Sequence, residues 1–154
     1  LLKTRIKSFP VHDTKGKKLF LTYGVRMALG LGEMRLVDRE QGIMDGEAIY
    51  LSGRTLNAMP VSNKQITLLI GATNKQQESA LRTVGILIDA LLNNATSRQC
   101  EVLYYKLLAK SEQEIANILG INQSGVNQHS TSAKWYCIEE TLNFWEQLNF
   151  SGHE

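Results

Sequence analysis

The sequence predicts an α+β fold, a partial α/β unit followed by an all-α tri-helical unit, and three observations lead there. Residues 19–72 run strand, loop, helix, strand. At Asn74 the composition changes to apolar residues at helical spacing. Further on, Ala116, Gly120 and Val126 stand at relative positions 5, 9 and 15, the spacing of a helix-turn-helix. The expected organisation is a front domain over 1–73, a connecting helix over 74–95 and a helix-turn-helix domain over 96–150.

With 154 residues, 43% of them hydrophobic, the chain has enough apolar surface for a folded core. Cys100 and Cys137 are far apart, with no CxxC pair and no histidine cluster nearby, so neither a zinc site nor a disulfide framework is expected; a reducing cytoplasm suits this usage. No apolar run approaches the roughly 20 residues of a membrane span. The net charge of +2 is uneven. Residues 1–63 carry ten Lys/Arg against six Asp/Glu, and residues 96–150 carry four against six. The helix-turn-helix end is thus slightly acidic, whereas nucleic-acid binders usually show a basic face.

Leu1 to Phe9 reads as an amphipathic helix and Pro10 to Lys18 as turns. "LFLTYGVRMALGLGEMRL" reads as one long strand or two paired ones. Gly30 and Gly32 lack the third glycine of a dinucleotide fingerprint, since Arg35 stands there; they suit a bulge or close backbone packing in a central strand. In "MDGEAIYLSGRTLNAM", Asp45 can cap a helix burying Ala48, Ile49, Leu51 and Leu56. "KQITLLIGA" reads as a strand.

"YGVRMALGLGEM" followed by "MDGEAIYLSGRTL" resembles the second half of the N-terminal domain of the SatD family, and the same order is similar to the end of a GGDEF or class III nucleotide-cyclase domain. The resemblance covers roughly residues 20–72 and implies a partial cyclase-like unit. Such domains carry their phosphate- and metal-binding acids on earlier "GDI" and "GDEF" segments. Neither string occurs, so a fragment lacking the catalytic half is expected.

The back half is helical. "NKQQESALRTVGILIDALLNNATS" places Leu81, Val84, Leu87, Ile88, Leu91 and Leu92 along one helix of about five turns, with Gly85 inside at a cost of ~1 kcal/mol relative to alanine. Ser97 is an apt cap for a second helix bearing Val102, Leu103, Tyr105 or Lys106, and Leu107. Ser111 and Glu114 have capping-box spacing for a third, which buries Ile115, Ala116 and Leu119. Ala116 must be small where the next helix crosses. Gly120 supplies the positive φ of a tight turn, Ile121 closes that turn, and Val126 enters the core. "KWYCIEETLNFWEQLNF" is a last helix whose seam of Trp135, Ile138, Leu142, Trp145 and Leu148 is too aromatic to stay in water, with Cys137 a small buried apolar residue.

"TSRQCEVLYYKLLAKSEQEIANILGINQSGVNQHSTSAKW" resembles the tri-helical DNA-binding domains of sigma-factor region 4 and LuxR-type regulators, and SatD-family proteins carry a C-terminal segment of this kind. The resemblance implies that the second helix of the motif lies in the major groove of double-stranded DNA. By position, Gln123, Ser124, Asn127, Gln128 and Thr131 would face DNA, and Lys134 could reach a phosphate. Asn and Gln can pair bidentately with adenine; Ser and Thr can bond bases or phosphates. The helix has no arginine and contains Gly125, so a monomer should bind weakly and a homodimer presenting two helices about 34 Å apart should recover affinity. His129 has no metal-ligating neighbours at suitable spacing.

The leading expectation is a cytoplasmic, bacterial-type transcription regulator that binds DNA, with no enzymatic activity, cofactor or metal. One alternative is an interaction module in which the helix-turn-helix only packs. Another is an enzyme or nucleotide sensor of the cyclase-like class, for which Asp45, Glu47 and Arg54 are the candidates.

Overall fold

A computed structural model describes residues 1–9, 24–59 and 66–147. The turn predicted at 10–18, the start of the glycine strand, the first residues of "KQITLLIGA" and Leu148 lie outside them. The chain is α+β, with seven helices and four strands among the described residues. It forms two compact units, one made of residues 11–94 and the other of residues 1–10 with 95–154. No described helix is long and apolar enough to cross a membrane.

In the first unit, strand β1 (Met27–Leu31) pairs in parallel with β4 (Leu68–Ala72), and β2 (Met34–Asp38) pairs antiparallel with β3 (Ile43–Gly46). The two halves of the predicted glycine strand therefore belong to different sheets and do not pair with each other. After β2 the chain turns back on itself. Asp38 Oδ1 accepts from Glu40 N at 3.0 Å and Gln41 N at 2.9 Å, and Gly42 takes a φ of 68°, so the chain reverses at once into β3.

Helix α2 (Glu47–Asn57) starts one step later than an Asp45 cap requires. Asp45 lies within β3, opposite Leu36, and Gly46 is the N-cap with a φ of 152° and no side-chain cap. A side chain at Gly46 would stand 2.5 Å from Glu33 O. The face that α2 buries is only partly the predicted one: Ala48 and Leu51 are half-buried, Ile49 and Leu56 are exposed, and Thr55 is buried in addition. The reason is backbone proximity. Gly30 and Gly71 stand opposite each other in the β1–β4 register; a Cβ on Gly30 would overlap the Ala48 carbonyl, and one on Gly71 would overlap Thr55 Oγ1. Two adjacent glycines make a bare patch on the sheet, and α2 lies down on it through its backbone and a small polar side chain.

Successive strand residues point to opposite faces, so Ile70 points away from α2. It meets Gly85 of helix α3 (Lys75–Asn94), where an added Cβ would be 3.3 Å from Ile70 Cδ1. The internal glycine of α3 thus has a packing reason. α3 buries Leu81 and Leu92 together with Asp89 and Asn93, and leaves Leu87 exposed. Asp89 ties the helix to the start of β4: Oδ2 accepts from Thr67 N at 2.6 Å and Oδ1 from Thr67 Oγ1 at 2.8 Å. The helix expected to connect two domains is therefore an integral layer of the α/β unit.

The second unit begins with α1 (Leu2–Ser8), which packs on α4 (Ser97–Leu107) and not in the front domain drawn over 1–73. Its amphipathicity is inverted. Lys3, Thr4 and Lys7 are buried while Leu1, Leu2 and Phe9 are exposed. Lysine stems are apolar enough to line an interior when the ammonium finds an acceptor, and Lys7 Nζ donates to Ala95 O at 3.1 Å. Arg5 stacks 4.7 Å from the Phe9 ring and 4.9 Å from the Tyr104 ring. Cys100 is fully buried beneath this helix. Burial pushes its thiol pKa up, with Lys7 and Lys3 pulling the other way.

Helix α4 is capped by Thr96 and not Ser97, in a capping box with Gln99. The remaining helices are α5 (Glu112–Leu119), α6 (Gln123–Ser132) and α7 (Trp135–Gln147). Along α7, Ile138 is buried, Trp135 and Trp145 are half-buried, and Leu142 is on the exposed side at 36%. Cys137 is half-buried rather than enclosed. The predicted seam is thus only partly covered.

Candidate nucleic-acid interface

Helices α5 and α6 build the site. Ser111 opens α5 with a capping box: its side chain accepts from Glu114 N at 3.3 Å, and the Glu114 carboxylate accepts from Ser111 N and Oγ, both at 2.9 Å, and from Lys110 Nζ at 2.8 Å. These donors, Lys110 first and then Ser111, hold the Glu114 pKa at about 2, below its ordinary 4.5. A depressed carboxylate stabilises the fold above the unfolded value and loses that contribution as pH falls through the folded one. The first turn of α5 is therefore expected to loosen between pH 4.5 and about 2. An NMR titration of the Glu114 carboxyl carbon checks this; a midpoint near 4.5 would mean that the box does not form in solution.

The turn between the two helices follows the predicted spacing. Gly120 has φ 63° and ψ 37°, and its amide and that of Ile121 both donate to Ala116 O, the second at 3.1 Å. Paired bonds back to the last turn of a helix are how a left-handed glycine closes it. Ala116 is 3% exposed and Val126 is fully buried, in one cluster with Val102 and Ile115 and with Tyr105, Leu119 and Ile121 around it. The small residue, the glycine and the aliphatic each stand where the motif needs them.

Asn122 caps α6. Its Oδ1 accepts from Gly125 N at 2.7 Å and from Ser124 Oγ at 3.0 Å. A Cβ on Gly125 would sit 2.9 Å from that oxygen, which accounts for a glycine inside the helix: it leaves room for the cap. Below the cap, Val126, Ser130 and Ala133 face inward.

The opposite face is open. Gln123, Ser124, Asn127, Gln128 and Thr131 are all exposed, and their spacing of i, i+1, i+4, i+5 and i+8 puts them on one side of the helix. Gln123, Asn127, Gln128 and Thr131 make no side-chain hydrogen bond among the described residues, whereas Gln113 and Asn117 of α5 bond each other at 3.2 Å. Lys134 follows the helix in a left-handed conformation, φ 59°, and is exposed. His129 is half-buried, and no group of three His, Cys, Asp or Glu side chains able to hold a metal occurs among the described residues.

Sequence reasoning missed how the cations of this unit are engaged. Arg98 pairs with Glu101 and donates to Leu119 O at 2.9 Å, Lys106 pairs with Glu112 at 2.9 Å, and Lys110 pairs with Glu114. Two of the three pairs have i, i+3 or i, i+4 spacing, a signal readable from sequence. Of the lysines and arginines over 95–147, Lys134 is the one with no ion pair among the described residues. The addition of α1 changes the charge balance. Residues 1–10 with 95–154 carry seven Lys/Arg and seven Asp/Glu, so the unit is neutral and not acidic.

The residues considered for a nucleotide site belong to the unit of residues 11–94, whereas α6 belongs to the other. Asp45 is in β3, Glu47 opens α2, and Arg54 is exposed near its end. The structure thus presents one uniformly polar, uncharged helix face mounted on a helix-turn-helix core. No family model, curated protein or solved structure matches this chain.

Proposed function

We propose that the chain is a DNA-binding transcription regulator that inserts α6 into the major groove of duplex DNA. The observation that carries this reading is the free face of α6: Gln123, Ser124, Asn127, Gln128 and Thr131 are exposed together on a helix whose other side is locked by Val126. A helix held in that way and facing solvent with hydrogen-bonding side chains is suited to base edges. Lys134 reaches toward a phosphate. Because Arg98, Lys106 and Lys110 are occupied by glutamates, few phosphates are neutralised and a single unit binds weakly. A homodimer with two α6 helices about 34 Å apart would raise both affinity and selectivity.

Selection from a random duplex library with the full chain at low salt tests this. An enriched, two-fold symmetric motif is the expected result, and the absence of any enriched sequence would overturn it.

A second reading is favoured by α7. Tyr136 and Phe144 are 60% and 52% exposed, and the buried Trp145 Nε1 has no hydrogen-bond partner among the described residues. An aromatic, incompletely covered helix suits association with another protein, with the helix-turn-helix serving only as a packing unit.

A further inference from the structure

From the chemistry of the α6 face, and resting on the reading of α6 as a groove-reading helix, we propose that its target is an adenine-containing, A·T-rich site, read by the side-chain amides of Asn127 and Gln128 with Gln123 beside them.

A primary amide offers one N–H donor and one carbonyl acceptor side by side. Adenine presents the complementary pair in the major groove, an N7 acceptor and an N6 donor, whereas guanine presents two acceptors at O6 and N7 and calls for the paired donors of arginine or lysine. Three amides on the exposed side of α6, at 123, 127 and 128, have both functions unoccupied among the described residues. No arginine or lysine lies within Gln123–Ser132. The remaining amide near this face, Asn122, is occupied as the helix cap, and Ser124 is held by the same oxygen, which leaves the Ser124 lone pairs as acceptors.

Thr131 completes the face one turn beyond Asn127 and Gln128. Its methyl group can pack on the 5-methyl of thymine, the partner of each adenine read. Lys134, after the end of the helix, is placed for the backbone and not for the bases, and phosphate contacts carry no sequence information. Discrimination therefore falls on the amides, and amides favour adenine.

The test takes duplexes selected on the full chain and replaces adenine by 7-deazaadenine at the enriched positions, which removes the N7 acceptor and leaves the Watson–Crick pair intact. Enrichment of A·T at neighbouring positions, with affinity falling roughly five-fold or more per substituted contact, is expected. An enriched motif with G·C at those positions, or unchanged affinity on 7-deazaadenine, would overturn adenine reading while leaving duplex binding in place. Absence of binding to any duplex at low salt would overturn both. Asn127→Arg adds an independent arm, since this exposed position tolerates substitution: one position of the motif should shift from adenine to guanine. An unchanged preference would remove Asn127 from the readout.

Discussion

Replacing Asn127 and Gln128 together by alanine is expected to leave a folded protein that has lost its sequence preference on duplex DNA. Both side chains are exposed and neither forms a side-chain hydrogen bond among the described residues, so their removal costs no packing. Alanine is the better helix former by roughly 0.5 kcal/mol per position, and the melting temperature should hold or rise slightly. Two bidentate base contacts carry about 2–6 kcal/mol of discrimination. Competition between a selected duplex and a scrambled one should therefore collapse toward equal affinity. The salt dependence should stay the same, because it reports phosphates and neither residue contacts one in the proposed docking. Retained preference in a protein of unchanged circular dichroism would place the readout elsewhere; loss of all binding would mean that these residues do more than select bases.

Gly30→Ala is expected to destabilise the α/β unit by about 3 kcal/mol or more. The added Cβ would overlap the Ala48 carbonyl and stand 2.7 Å from Ser52 N. Both are backbone atoms of α2, so no side-chain rotation relieves the clash, and α2 must lift from the sheet. Gly53→Ala is the matched control, since an added Cβ there has nothing within 4 Å. It should stabilise α2 by about 0.5–1 kcal/mol through helix propensity alone. Urea unfolding of the two variants separates the effects. Equal midpoints would mean that α2 does not rest on Gly30 in solution.

Much of the candidate site was legible because its determinants are local. The capping box of Ser111 and Glu114, the left-handed Gly120 and the inward Val126 depend on neighbours within one short stretch, and their spacing carries the geometry. The same holds for the exposed polar face of α6, which is simply the complement of its buried one. The role of Gly125 was not legible, because its reason is the direction of the Asn122 side chain. The hairpin of β2 and β3 was missed although Asp38 and Gly42 signal a turn; the apolar residues on either side read as the continuation of a strand and the approach to a helix.

Taken by itself, the sequence determined the α+β class, the helix-turn-helix and which residues of α6 face outward, since each follows from periodicity, caps and a glycine within a few turns of chain. Only the tertiary structure decided which distant segments meet. Lys7 bonds the carbonyl of Ala95 across 88 residues of sequence, one of the contacts that hold α1 polar side inward within the helical unit, where Lys3, Arg5 and Lys7 balance the unit's charge. Likewise the facing glycines of β1 and β4 acquire their meaning only when the strands pair in register and α2 lies across them. Spacing encodes what one element does to its own neighbours, whereas the partner of a buried face is settled by which surfaces fit and which polar groups they satisfy.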